Sequence, residues 1–166
     1  MSLRSSVFAV VAVVAACTPL RPQVELERGV SLGKYHVFEV APVTDASGYT
    51  LFPWPIADSL RLELVEQLQH HGLAVRAVEP DTAATPGVLI LRGTLTSFRA
   101  GSPYLREPQT SIYSRCTFVT DLFDKETGRQ IGHIISSEDA DYMPYQVLMT
   151  CAREVGDEVA RGVKSG

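Results

Sequence analysis

The chain has 166 residues, 15 Lys and Arg against 19 Asp and Glu, a net charge of −4, and 45% hydrophobic side chains. That length builds one domain with a sizeable core and leaves two domains cramped. The acidic balance, with no basic stripe, excludes a surface made for a phosphate backbone, so no nucleic-acid partner is expected.

In chain order, the first feature is an unbroken apolar run of ten residues from Val7 to Ala16. As a helix rising roughly 1.5 Å per residue it covers about 15 Å, half of a hydrocarbon core, so it cannot span a membrane alone. Arg4 precedes it and the small residues Ala15 and Ala16 close it. That is the charged, apolar and small-residue order of a secretory signal, expected over residues 1–16.

The run ends in Val14-Ala15-Ala16-Cys17, which resembles the lipobox of bacterial lipoproteins. The resemblance implies that Cys17 becomes the first residue after cleavage and carries a covalent lipid of the palmitate type. Several acyl chains hold a protein on a bilayer where one gives only marginal binding. Thr18, not Asp, follows the cysteine. By the sorting preference of enteric lipoproteins, that implies the outer membrane, facing the periplasm. Cleavage leaves 150 residues with a net charge of −5, since Arg4 departs with the signal. Residues 17–33, with Pro19, Pro22 and Gly29 and no clear period, read as a lipidated tether, and 34–166 as a single α/β domain.

Tyr35 to Ala41 is a first strand, apolar on both faces apart from His36 and Glu39, as a central strand is. After a loop from Thr44 to Pro53, Pro55 opens a helix whose Ile56, Leu60, Leu64, Val65 and Leu68 recur at three and four residues, and Gly72 ends it. Leu73 to Val78 is a short second strand. Val88 to Phe98 is a third, with Leu89, Leu91 and Leu95 on one face and Arg92, Thr94 and Thr96 on the other. Ile112 to Phe123 alternates in the same way, and the turn Asp124-Lys125-Glu126-Thr127-Gly128 makes Gln130 to Ser137 its hairpin partner. Pro144 opens the last helix, with an apolar stripe of Tyr145, Leu148, Met149, Ala152, Val155, Val159 and Val163.

The order β-α-β-β-β-β-α predicts an α+β two-layer sandwich, both helices on one face of a mixed sheet. Alternating directions place loops 44–54, 79–87 and 124–129 at one end. Loops 99–110 and 139–144 then share the other end with the start of the first strand, where the tether enters.

With Cys17 consumed by lipid, Cys116 and Cys151 remain in an oxidising compartment, on the apolar side of a strand and of a helix. A disulfide between them closes a loop of about 36 residues and is expected to contribute on the order of 3 to 4 kcal/mol. Two buried free thiols are the alternative. Their wide separation, without Cys-x-x-Cys or a neighbouring His, argues against zinc and redox catalysis.

The leader, the lipobox, the β-α-β opening and the run Cys116 to Gly128 followed by a terminal helix resemble small bacterial envelope lipoproteins of uncharacterised function. Their fold is similar to the N-terminal α/β domain of the Tol system's propeller protein, and the auxiliary lipoproteins of ABC-type lipid transporters have a comparable layout. The likeness spans roughly residues 34–163 and carries over no catalytic residue.

A search for chemistry yields little. The adjacent His70 and His71 diverge by about 100° and read as solvated helix-end residues. His36 and His133 are candidates to meet across the sheet, although half-buried structural histidines are the simpler reading. Glu138, Asp139 and Asp141 lack the spacing and glycine of a calcium loop and read as an acidic cap for the last helix. Gly29 to Lys34 imitates a phosphate loop but is one residue short and precedes a strand. No nucleophile elbow, metalloprotease motif or dinucleotide fingerprint occurs, so neither metal nor cofactor is expected, and a non-catalytic role is.

What stands out is aromatic and proline-rich loops, from which Phe52, Trp54, Tyr104, Leu105, Tyr142 and Met143 are candidate partner contacts, the alternative being that these loops fold back as lids over the ends of the core. The expected function is contact in envelope assembly or transport. The alternative is a lipid- or peptide-binding auxiliary module of a transporter.

Overall fold

A computed structural model describes residues 21–52, 54–79, 83–101, 113–140 and 143–166. Seven strands form one mixed sheet in the order β1-β7-β6-β5-β2-β4. They are β1 (Gln23–Leu26), β2 (Val37–Val40), β3 (Thr44–Asp45), β4 (Val75–Ala77), β5 (Val88–Arg99), β6 (Ser114–Asp124) and β7 (Gln130–Ala140), with β3 continuing along β5 beyond β2. Helices α1 (Ile56–His70) and α2 (Pro144–Ser165) pack on one face of the sheet and on each other. The expected α+β sandwich is the fold.

Each element follows from its pattern. Ile56, Leu60, Leu64 and Leu68 of α1 are buried at three-to-four spacing. On α2, Leu148, Cys151, Ala152, Val155 and Val159 meet the sheet side chains Cys116, Phe118, Leu122 and Ile134 in the same core. Strand β5 alternates until a bulge between Leu95 and Ser97 shifts its phase and returns Phe98 to the core side. In the β6–β7 turn, Asp124 accepts bonds from the Glu126 and Thr127 amides, and Gly128 takes φ +68°, the left-handed position where a side chain would be strained.

Two expectations need correction. The tether does not extend to residue 33: Gln23–Leu26 is a strand paired antiparallel with β7, and Leu32, in a 3-10 turn over Leu32–Lys34, is buried. Gln23-Val24-Glu25-Leu26 alternates polar and apolar over only four residues, too few to stand out beside two prolines.

The second concerns which loops share an end. Strand β2 is parallel to β5, and β5, β6 and β7 are successively antiparallel, so β2, β5 and β7 all point the same way. Because α1 carries the chain back down, the exits of β2, β5 and β7 lie together. The loop after β2 therefore sits with the loop before α2, not with the 124–129 hairpin. Nor does the leader-proximal chain enter beside the start of β2. It enters through β1, whose Gln23 lies opposite Ile135 and whose Leu26 lies opposite Gly132, so it runs away from the end where β7 finishes.

Candidate functional site

The end formed by the exits of β2, β5 and β7 and by the starts of both helices carries a chain of aromatic rings. A small hydrogen-bonded turn sets it up: Asp45 accepts bonds from the amide and hydroxyl of Ser47, and the Ser47 hydroxyl in turn accepts from the Tyr49 amide. Tyr49 then meets Phe52 at 4.7 Å between ring centroids and Phe98 at 4.9 Å, and Phe52 meets Phe98 at 4.8 Å. Phe52 contacts Trp54 at 5.6 Å, and Trp54 reaches across to Tyr145 on α2 at 6.0 Å. The phase shift at the β5 bulge supplies Phe98 as the inner rung of this stack.

The inner rings belong to the core, and the outer ones face solvent. Leu51 is 78% exposed, Met143 64%, Tyr145 46% and Trp54 40%. Two open grooves flank the stack, one of about 460 Å³ along Tyr145, Met149 and Arg153 and one of about 260 Å³ along Tyr49, Trp54 and Ile56. Of the six contact residues read from the sequence, Phe52, Trp54 and Met143 lie on this end; Tyr104, Leu105 and Tyr142 are outside the described residues, as is Cys17.

Cys116 on β6 and Cys151 on α2 form a disulfide, both fully buried, which ties the last helix to the middle of the sheet. The paired-cysteine expectation, not the free-thiol alternative, describes the chain.

The titratable groups are occupied with structure. His36 packs its ring against Gly87, and His133 faces Glu25 at 3.5 Å across the β1–β7 pair; two strands, β5 and β6, separate the two histidines, so they do not meet. His71 is not simply solvated. Its Nε2 lies 2.6 Å from Asp157, which also accepts from Gln67, joining the end of α1 to α2. Asp139 and Glu138 are strand residues and cap no helix: Asp139 pairs with Arg115, and Glu138 approaches Glu154 of α2. Asp141 is outside the described residues.

Burial, reinforced by the neighbouring Glu138 carboxylate, pushes Glu154 up to about 7, against the opposing hydrogen bond from Ser136. At the hairpin end, burial works against ionisation of Asp124, but hydrogen bonds from Tyr35, the Thr127 amide and Lys34 outweigh it and hold the carboxyl at about 2. Beside it Lys125 makes a buried ion pair with Glu39 at 2.7 Å. In the sequence Glu39 is the one acid on a central strand, and its partner lies in a segment whose pattern signals only a turn. Among the described residues no group of three His, Cys, Asp or Glu side chains is placed to hold a metal ion, and no helix is long and apolar enough to cross a membrane.

No protein-family model matches the chain, and no curated protein matches it in sequence. Solved structures match it in fold. PelC from Paraburkholderia phytofirmans, a dodecamer, superposes with a TM-score of 0.60 at 15% identity, over 84% of this chain and 97% of that one. The hypothetical protein CT253 from Chlamydia trachomatis gives 0.54 at 11% identity, over 78% and 99%. Protein XCC0632 from Xanthomonas campestris gives 0.51 at 11% identity, over 84% and 90%. The fold is one that bacteria use with widely divergent sequences. The likeness covers nearly the whole length of each of these structures, so the two-layer unit is the shared fold.

Proposed function

We propose that the protein is a lipid-anchored lipoprotein of the outer membrane, facing the periplasm, which acts by contact in an envelope assembly or transport machine and catalyses no reaction. The observation that carries this reading is the pairing of a lipobox-like Cys17 with an exposed aromatic end, reached from a strand that begins only six residues after that cysteine. The perturbed carboxyls favour it as well. Glu154 on α2 accepts from Ser136 of β7, and Asp124 accepts from four donors, so each is engaged in holding elements together. PelC is a dodecamer, which favours testing contact between copies of this chain alongside contact with other envelope proteins.

Cross-linking in the native envelope tests the reading. Discrete adducts, either to another envelope protein or to further copies of the chain, are expected. Recovery of the chain without protein adducts, but with a bound lipid or peptide that follows it through purification, would replace the reading with that of a carrier module of a transporter. The open grooves beside Trp54 and Tyr145 are where such a ligand would be held.

A further inference from the structure

We infer that the aromatic end of the domain rests in the interfacial layer of the bilayer that holds the chain's own lipid, with Trp54, Leu51, Met143 and Tyr145 as the inserted side chains. The inference rests on the proposed acylation of Cys17 and adds an orientation to it: the aromatic end meets lipid, and contact with other proteins falls to the rest of the surface.

Three observations lead there. The first is the leash. Cys17 stands six residues before Gln23, and six residues fully extended span at most roughly 20 Å. Gln23 is locked into the sheet opposite Ile135, and from Ile135 strand β7 continues five residues to Ala140, about 16 Å at the usual strand rise. The leash can therefore bring the lipid level with the end of β7 and only a few ångströms past it. The domain has no slack with which to stand away from the membrane.

The second is direction. Strand β1 runs from the Ile135 level toward Gly132, so its first residue is the one nearer Ala140, which is the side of the aromatic end. Reaching the hairpin end at Asp124 to Gly128 instead would require the leash to reverse beside β1, and a turn of even four residues would consume most of its length.

The third is chemistry. The exposed side chains at this end are a tryptophan, a tyrosine, a leucine and a methionine, at the tip of a stack anchored in the core by Phe52 and Phe98. Tryptophan and tyrosine prefer the headgroup level of a bilayer, where an apolar ring and a polar edge are both accommodated. On the last rung of β5 and β6, Arg99 is exposed at the height where lipid phosphates would lie, while Arg115 opposite it is paired with Asp139. The opposite end presents a different surface, with Asp124 held by Lys34 and Tyr35, Lys125 paired with Glu39, and no comparable cluster of exposed apolar side chains among the described residues.

Trp54 is the chain's single tryptophan, so its emission reports on this end alone. The full acylated chain is reconstituted into vesicles of phosphatidylethanolamine and phosphatidylglycerol without other protein, and acylation is checked separately by intact mass. Replacing a share of the lipid with phosphatidylcholine brominated near the top of its acyl chains is expected to remove most of the Trp54 emission, while aqueous iodide quenches it far less than in the urea-unfolded chain. Emission open to iodide and untouched by brominated lipid would overturn the inference, and so would emission shielded from both, which would mean that another copy of the chain covers the patch. A chain whose mass shows no lipid would instead fail the anchoring reading, an outcome the two measurements keep separate.

Discussion

Replacing both Cys116 and Cys151 with alanine removes a covalent tie whose contribution can be worked from its span. The two residues are 35 apart in sequence. In the chain-entropy model a closed loop of that length restricts the unfolded ensemble by about 13 cal/mol/K, or about 4 kcal/mol at room temperature. Both positions are fully buried, so the missing sulfurs also leave small voids in the core between α2 and β6, which adds to the loss. For a domain of this size each kcal/mol moves the melting temperature by roughly 2 to 4 °C, so the double variant should melt about 8 to 16 °C lower. Thermal and urea melts followed by far-ultraviolet circular dichroism measure it, with the wild type under reducing conditions as a second route to the same state. A loss below about 1 kcal/mol would refute the reasoning, because it would show that α2 is held by packing alone and that the loop was already restricted before unfolding.

Other perturbations follow from particular contacts. The Thr120 hydroxyl is fully buried and finds no hydrogen-bond partner among the described residues, so Thr120→Val should stabilise the fold by about 1 kcal/mol in a urea melt. Lys125→Ala leaves Glu39 charged and buried without its partner, and a loss of about 3 to 5 kcal/mol is expected, much of it recovered by adding Glu39→Gln. Glu154 has its folded value raised to about 7 above the ordinary 4.5, so its protonated form favours the fold and that benefit is lost as pH rises from about 4.5 through 7. Allowing for partial exposure to solvent, the swing is about 1 to 2 kcal/mol, and the titration belongs to Glu154 and Glu138 together. Glu154→Gln should flatten stability against pH over that range and stabilise the protein at pH 8; an unchanged pH profile would show that the carboxyl is not the source. Asp124 and Asp157 are lowered and act in the opposite sense at more acidic pH, outside this window.

Much of the architecture was legible because the long elements are strongly periodic. Leu89, Leu91 and Leu95 alternate, Leu60, Leu64 and Leu68 recur every four residues, and the two cysteines sat on the apolar sides of their elements. What escaped depends on distance in the chain. A four-residue edge strand such as Gln23–Leu26 gains its stability from pairing with β7, more than a hundred residues later, and leaves almost no local signature. The pairs His71 with Asp157 and Glu39 with Lys125 are 86 residues apart, and no spacing rule brings them together. The error over which loops share an end came from strand direction, which depends on whether each connection crosses over or turns back. Once β2 and β5 are known to be parallel, Trp54 and Met143 fall on the same end, and two loops that read as separate patches become one.

Both the proposed membrane address and the short leash depend on the thiol at position 17. Intact-mass spectrometry of the protein extracted from native outer membranes is the most direct test. A chain that starts at Cys17 with added glyceride and acyl mass is predicted. A chain that retains Met1, or is cleaved but carries no lipid, would contradict the account.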